Sequence, residues 1–187
     1  MKKTTILFIQ GGGKGAYAAD KKLVADLKLL LGKEYNIRYP KMPGENDPDY
    51  GTYKATMEEA LKSIDGDLLL AGHSLGACFW LKYFTERTVG TNIKGIFLMA
   101  NPFWGKGGWH YEGFSVNSEL AAKRTAHILT FFYHGTKDEV VPFSHLALYK
   151  AKFRQAFFRT IEGSDHQLNN DLSDVAVDIA SLSVDSQ

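Results

Sequence analysis

Short apolar, β-branched or aromatic runs alternate with stretches of helical periodicity along almost the whole chain. This alternation constrains the fold more than any single motif. Strands are expected at residues 5–9, 35–39, 67–72, 93–100, 128–134 and 156–163. Between the first two, Leu23, Val24, Leu27, Leu30 and Leu31 recur at helical spacing and stop at Gly32. Met57, Ala60, Leu61 and Ile64 mark a second helix, closed by Gly66, after a loop at 41–51 rich in Pro, Gly, Asn and Asp. Further helices are expected from just after Ser74 to about Thr88, over 142–153, and around Leu172, Val175, Ala176, Ile179 and Leu182. Strands that are apolar throughout are buried on both faces, as in parallel sheets covered by crossover helices. The expected fold class is therefore α/β: a three-layer α/β/α sandwich on a mostly parallel six-stranded sheet.

A chain of 187 residues, 44% apolar and 23% charged, fits one domain, residues 1–187, with a substantial core. The 22 basic and 21 acidic residues are mixed along the chain, which argues against nucleic acid or a membrane surface as partner. Cys78 is the only cysteine, so an internal disulfide framework and a multi-cysteine metal site are excluded. No apolar run approaches the length of a membrane span. The four apolar residues that follow Lys3 and Thr4–Thr5 are too short for a signal-peptide core. A cytoplasmic location is expected, and the sequence sets no oligomeric state.

The first strand runs into "QGGGKGA" (residues 10–16), a loop suited to holding negative charge against backbone N–H groups. Gly11, Gly13 and Ala16 satisfy a dinucleotide-binding spacing. However, the second strand ends "RYPKMP", with no acidic residue for a ribose hydroxyl, and Lys14 is followed by Gly15 rather than Ser or Thr. Nucleotide binding is therefore disfavoured, and the alternative is an oxygen that becomes negative during a reaction.

The third strand ends in "AGHSLGA" (residues 71–77). This is G-x-S-x-G at a strand-to-helix turn, a context that strains the serine backbone and lifts its hydroxyl out of the sheet. Standing alone, Ser74 would read as a helix N-cap. A serine nucleophile needs a histidine base, and the base needs a carboxylate to set its tautomer. "HGTKDEVVP" (134–142) after the fifth strand supplies Asp138, with Glu139 as a neighbouring rival. "EGSDHQL" (162–168) after the sixth supplies His166, preferred over His73, His127, His134 and His145. In a parallel sheet these loops leave one edge, so Ser74, Asp138 and His166 can converge. Cys78 reads as a buried core residue.

In these segments and their order the chain resembles the α/β-hydrolase superfamily, in the compact form of small serine esterases with little or no cap domain. The resemblance covers nearly the whole chain. It implies strand order 2-1-3-4-5-6, with the two antiparallel opening strands of larger members missing. It implies Ser74 as nucleophile, His166 as base and Asp138 as acid. Oxyanion N–H groups would come from Leu75 and from Gly12 or Gly13, with Gln10 standing where larger members often carry His. The resemblance also implies that caps are inserted after the fourth strand, here a possible small insert at 103–122. There Trp104, Trp109, Tyr111 and Phe114 either tuck onto the core or wall an acyl or alcohol pocket. The expected activity is hydrolysis of small carboxylic esters through an acyl-enzyme, with no metal or organic cofactor. Thioesters, amides or peptides are open to the same machinery, and a non-catalytic binding protein on the same scaffold is the reading from another class.

Overall fold

The computed structural model describes residues 3–88, 90 and 92–182. Six strands, β1 (Thr4–Ile9), β2 (Tyr35–Arg38), β3 (Leu68–His73), β4 (Ile93–Met99), β5 (Leu129–Gly135) and β6 (Phe157–Ile161), form one sheet. Its order is β2-β1-β3-β4-β5-β6, and every pairing is parallel. The central strands β1, β3, β4 and β5 are buried along most of their length, and the edge strands β2 and β6 are half-exposed. Each edge strand pairs with one neighbour only and is shorter than its apolar run.

Helices α1 (Ala16–Leu31) and α6 (Ser173–Ser181) cover one face, where Leu23, Val24, Leu27, Val175 and Ile179 pack on Ile6, Phe8, Leu69, Ala71 and Phe97. The other face carries α2 (Tyr50–Lys62), α3 (Leu75–Glu86), α4 (Ser118–Arg124) and α5 (Ser144–Lys152) around Leu7, Ile9, Leu70, Leu98 and Phe132. α2 starts inside the stretch expected to be loop, because Asp49 caps it by accepting from the Thr52 N–H at 2.9 Å and because Tyr50 and Tyr53 are buried. α4 was not expected; at seven residues it is too short to display a helical period, and Asn117 caps it in the same way. Among the described residues no helix is long and apolar enough to cross a membrane.

The sheet register aligns the ends from which the loops leave. Ile9 lies beside Gly72, His73 beside Met99, Met99 beside Tyr133, and Gly135 beside Ile161. The chain reverses its direction of travel across the sheet between β1 and β3, so the loops that follow these two strands open a crevice between them.

At the far edge, Asp178 of α6 accepts from the Tyr133 hydroxyl at 2.8 Å and from both Nε and Nη2 of Arg159 at 3.0 and 2.7 Å, tying β5 and β6 to the last helix. Asp178→Ala would leave the buried Tyr133 hydroxyl without an acceptor. It should lower unfolding free energy by about 2 kcal/mol in a urea titration at neutral pH.

Candidate active site

Ser74 sits between β3 and α3 at φ 51, ψ −120. A non-glycine residue there stores about 1–3 kcal/mol of strain. Both of its peptide neighbours hold it: its N–H donates to the Met99 carbonyl at 2.8 Å, and its carbonyl accepts from the Cys78 N–H at 3.2 Å. Its hydroxyl makes no cap bond to the helix, so the N-cap reading is set aside. The turn is too tight for side chains beside it. A Cβ on Gly72 would lie 2.7 Å from the Ala77 nitrogen, and one on Gly76 would lie 2.3 Å from the Ile9 carbonyl oxygen. Cys78 is fully buried with its thiol toward the Phe114 carbonyl at 3.7 Å, and burial pushes the thiol pKa far up, which keeps it protonated.

Asp138, in the loop after β5, meets His166, in the loop after β6. His166 Nδ1 lies 3.0 and 2.9 Å from the two carboxylate oxygens. The carboxylate is wholly buried, while the His166 ring is 12% exposed. Asp138 Oδ1 also accepts the Val140 and Val141 N–H groups at 2.9 and 2.8 Å. Oδ2 faces His134 Nε2 at 3.1 Å, which is also shared with the Val141 carbonyl at 3.0 Å. Burial alone would raise the Asp138 pKa, but the hydrogen bonds from His134 and His166, the His166 charge and the Val141 N–H hold it well below the usual carboxylate range. A group facing only acceptors must donate, so Nδ1 of His166 carries the proton and Nε2 is left as its basic nitrogen.

His166 packs on His73, the residue before Ser74. The His73 and His166 rings are 4.7 Å apart, and His73 Nε2 lies 2.8 Å from the His166 carbonyl. Among the described residues the Ser74 hydroxyl has no hydrogen bond. In unliganded sites the contact between nucleophile and base is commonly long.

The glycine loop runs beside the elbow; a Cβ on Gly11 would sit 3.2 Å from the Ser74 Cβ. Gly11 N–H donates to Asp20 Oδ2 at 2.7 Å, and Gly13 N–H donates to the Glu45 carbonyl. Gly12 N–H and, at the start of α3, Leu75 N–H have no acceptor among the described residues. The Gly11 carbonyl is held by the Tyr53 hydroxyl at 3.0 Å and by Gln10 Nε2 at 3.3 Å. In a planar trans peptide the C=O and the following N–H point in opposite directions. Tyr53 and Gln10 therefore set the direction of the Gly12 N–H, away from the core that contains Tyr53.

The segment between β4 and α4 folds over α3 and α5. Trp104 meets Trp109 and Phe114 edge-on at 5.1 and 5.3 Å, Phe114 meets Phe79 of α3 at 5.2 Å, and Trp109 meets His145 of α5 at 5.2 Å. Phe114 thus packs on the core. Trp104, Gly105 and Trp109, with His110, Tyr111, Glu112 and Ser115, line a cleft of about 400 Å³ that belongs to this segment alone.

Several partners of the site escape sequence reading: Tyr53, His134 and above all Asp20. Asp20 lies on the same stripe of α1 as Leu23, Val24, Leu27 and Leu31, and a carboxylate on an apolar stripe is the signal that marks it.

With this geometry in view, the chain was compared with known proteins. A family model described as serine hydrolase matches residues 27–171. No curated protein matches the chain in sequence at a significant level. Among solved structures, the ydeN gene product from B. subtilis superposes with a TM-score of 0.70 at 16% identity, covering 97% of this chain and 98% of its own. Est1E from Butyrivibrio proteoclasticus gives 0.70 at 14%, covering 98% and 87%. A meta-cleavage product hydrolase, CumD, in a mutant form, gives 0.74 at 13%, covering 99% and 92%. The sheet order and these likenesses establish an α/β-hydrolase fold.

The close packing of α3 on β1 is directly testable. Gly76→Ala forces a Cβ against two backbone carbonyls, those of Ile9 and Gln10. It should destabilise the protein by about 2–3 kcal/mol, read as an earlier midpoint in denaturant with unchanged slope.

Proposed function

Because this chain belongs to the serine hydrolase family, we propose that it cleaves carboxylic esters of small molecules through an acyl-enzyme formed on Ser74. The observation that carries the reading is the buried Asp138 carboxylate on Nδ1 of His166, whose ring packs on that of His73, the residue before a serine held at positive φ. In this reading His166 Nε2 takes the Ser74 proton as Oγ attacks the ester carbonyl. Asp138 fixes the tautomer and stabilises the imidazolium that forms. It remains ionised throughout, since its own proton affinity is held low by four donors.

The tetrahedral oxyanion is assigned to the N–H groups of Leu75 and Gly12. Gly13 is the weaker of the two glycine candidates, because its N–H is already engaged by the Glu45 carbonyl. Each such donor lowers the barrier by about 3–4 kcal/mol. Collapse of the intermediate expels the alcohol with the proton from His166. Water then enters, gives its proton to His166, and releases the acid from Ser74 by the same steps reversed. The acyl or alcohol group is assigned to the aromatic segment after β4, where Trp104 and Trp109 offer apolar contact at a cleft that no member of the catalytic set lines. Phe114 supports that wall from behind, through its contact with α3.

A fluorophosphonate probe should label the wild type on Ser74, and Ser74→Ala should abolish labelling and lower ester turnover by about four to six orders of magnitude. A panel of chromogenic esters of increasing acyl length, with one thioester and one amide, should show highest kcat/KM for an ester. Folded wild type that neither labels nor turns over any member of the panel would refute the proposal. Tyr53→Phe keeps the ring in the core but leaves the Gly11 carbonyl with only the longer bond from Gln10. It should lower kcat by about 10- to 100-fold with KM nearly unchanged, less than loss of an oxyanion donor itself.

A further inference from the structure

A second aspartate–histidine pair lies beneath the first. His73 and Asp20 are almost completely buried, with side chains 2% and 1% exposed, and Nδ1 stands 2.9 Å from Oδ1. The other ring nitrogen, Nε2, is 2.8 Å from the carbonyl oxygen of His166. Asp20 Oδ2 accepts from the Gly11 N–H at 2.7 Å, and Oδ1 accepts from Gln167 Nε2 at 3.3 Å. A carbonyl oxygen can only accept, so Nε2 carries a proton. Nδ1 stands off the line of a hydrogen bond to Asp20, but two bare lone pairs 2.9 Å apart in a buried site would repel, so a proton lies on one of the two atoms. The Gly11 and Gln167 donors favour the ionised carboxylate and therefore place that proton on Nδ1.

We propose that His73 is a buried imidazolium, ion-paired to Asp20, which acts as the positioning residue that holds three parts of the active centre in register. The parts are the glycine loop through Gly11, the elbow through the peptide bond to Ser74, and the base through the main chain of His166. This rests on the reading of Ser74, His166 and Asp138 as the catalytic set. His73 does not touch the reacting atoms. It acts by fixing where His166 and the Gly11–Gly12 peptide stand relative to the serine hydroxyl, and errors of about an ångström in such positions cost roughly 100-fold in rate.

The groups that face the His73 ring are Asp20 from α1 and, from the loops after β5 and β6, Asp138 and His166. The Tyr53 hydroxyl donates to the Gly11 carbonyl and the Tyr39 hydroxyl to the Tyr17 carbonyl, and burial, helped by the Asp20 charge, keeps both protonated. Burial lowers the His73 pKa, but the Asp20 charge and hydrogen bond outweigh it, so the net direction is upward. Burial raises the Asp20 pKa, but the His73 charge and the hydrogen bonds from His73, Gly11 and Gln167 outweigh it, so the net direction is downward. The signs follow. The His73 contribution to stability is full below its unfolded pKa and is lost as pH rises through the raised folded value. The Asp20 contribution is present above its unfolded pKa and is lost as pH falls through the lowered folded value.

Substitutions separate tether from charge. In Asp20→Asn, the amide oxygen can still accept from Gly11 while its NH₂ donates to Nδ1 of a neutral His73. Gln167, whose Oε1 is buried without a partner, can turn its amide to accept the second proton. In His73→Asn the side chain reaches Asp20 but not the His166 carbonyl, whereas His73→Gln reaches that carbonyl.

The test combines imidazole ¹⁵N NMR of histidine-labelled protein with steady-state kinetics. In the wild type one histidine, missing from the His73→Gln spectrum, should keep imidazolium shifts at pH values where exposed histidines are neutral. His73→Asn should lower kcat by about 10- to 100-fold with KM little changed, and His73→Gln should recover to within about fivefold of wild type. Asp20→Asn should lose the alkaline fall in stability that the wild type shows. A neutral His73 at pH 7, or a folded His73→Asn with wild-type kcat and pH profile, would overturn the proposal. Should His73→Asn fail to fold, the wild-type spectrum still decides the protonation state. A wild type that never labels with fluorophosphonate overturns the hydrolase reading and the positioning role together, whereas a labelled wild type with neutral His73 overturns only the latter.

Discussion

The site depends on one strained residue that its surroundings will not release. Ser74 stays at φ 51 because its N–H is taken by Met99 of β4 and its carbonyl by the first turn of α3. Relaxing the serine would break one of these bonds or drive α3 off β1, where no side chain fits at Gly76. A strain of about 1–3 kcal/mol is small against the burial of α3, whose residues Leu75 through Leu81 are all buried. The helix is therefore both the clamp on the turn and the source of the free N–H at Leu75.

Around that turn, charge is handled by pairing rather than by exposure. Asp138 and Asp20 are both removed from water, and each is compensated by a histidine and by backbone N–H groups. The two pairs are not equivalent. His166 is partly open to solvent, and its second ring nitrogen has no acceptor among the described residues. His73 is closed on both sides, so its proton has nowhere to go. The same two residue types thus make one pair with a ring nitrogen left open and one closed on both sides, and the difference is made by what faces the second nitrogen.

Much of the fold was legible because a parallel sheet writes itself into sequence as apolar runs. Ile6 to Ile9, Leu68 to Ala71 and Phe131 to Tyr133 need cover on both faces, and helical periods lie between them. Edge strands obey weaker rules, which is why β2 and β6 stop short of their runs, and α4 offers too few residues to show a period. At the site, the segments carrying Ser74, Asp138 and His166 were visible because each follows a strand at the same sheet edge. The contacts of Asp20, Tyr53 and His134 were not, since a hydrogen bond between distant segments leaves no local pattern. Asp20 alone left a trace, as a charge among the leucines of α1. For the glycine loop the sequence left Gly12 and Gly13 level, and only the partner of each N–H separates them.

Finally, the site is stitched from the two ends of the described chain. Gln167 reaches Asp20 across 147 positions, and the Leu172 N–H donates to Asp26 Oδ2 at 2.8 Å across 146. Such closures join segments far apart in sequence, and here one links the loop after β6 to Asp20 while the other docks the start of α6, with the core residue Leu172, on α1. The segment that carries His166 and Gln167 therefore meets the glycine loop and α1 only once nearly the whole chain is present, so a truncation before residue 162 would keep β1, β3 and their helices but lose every contact that segment makes with Asp20 and Asp138.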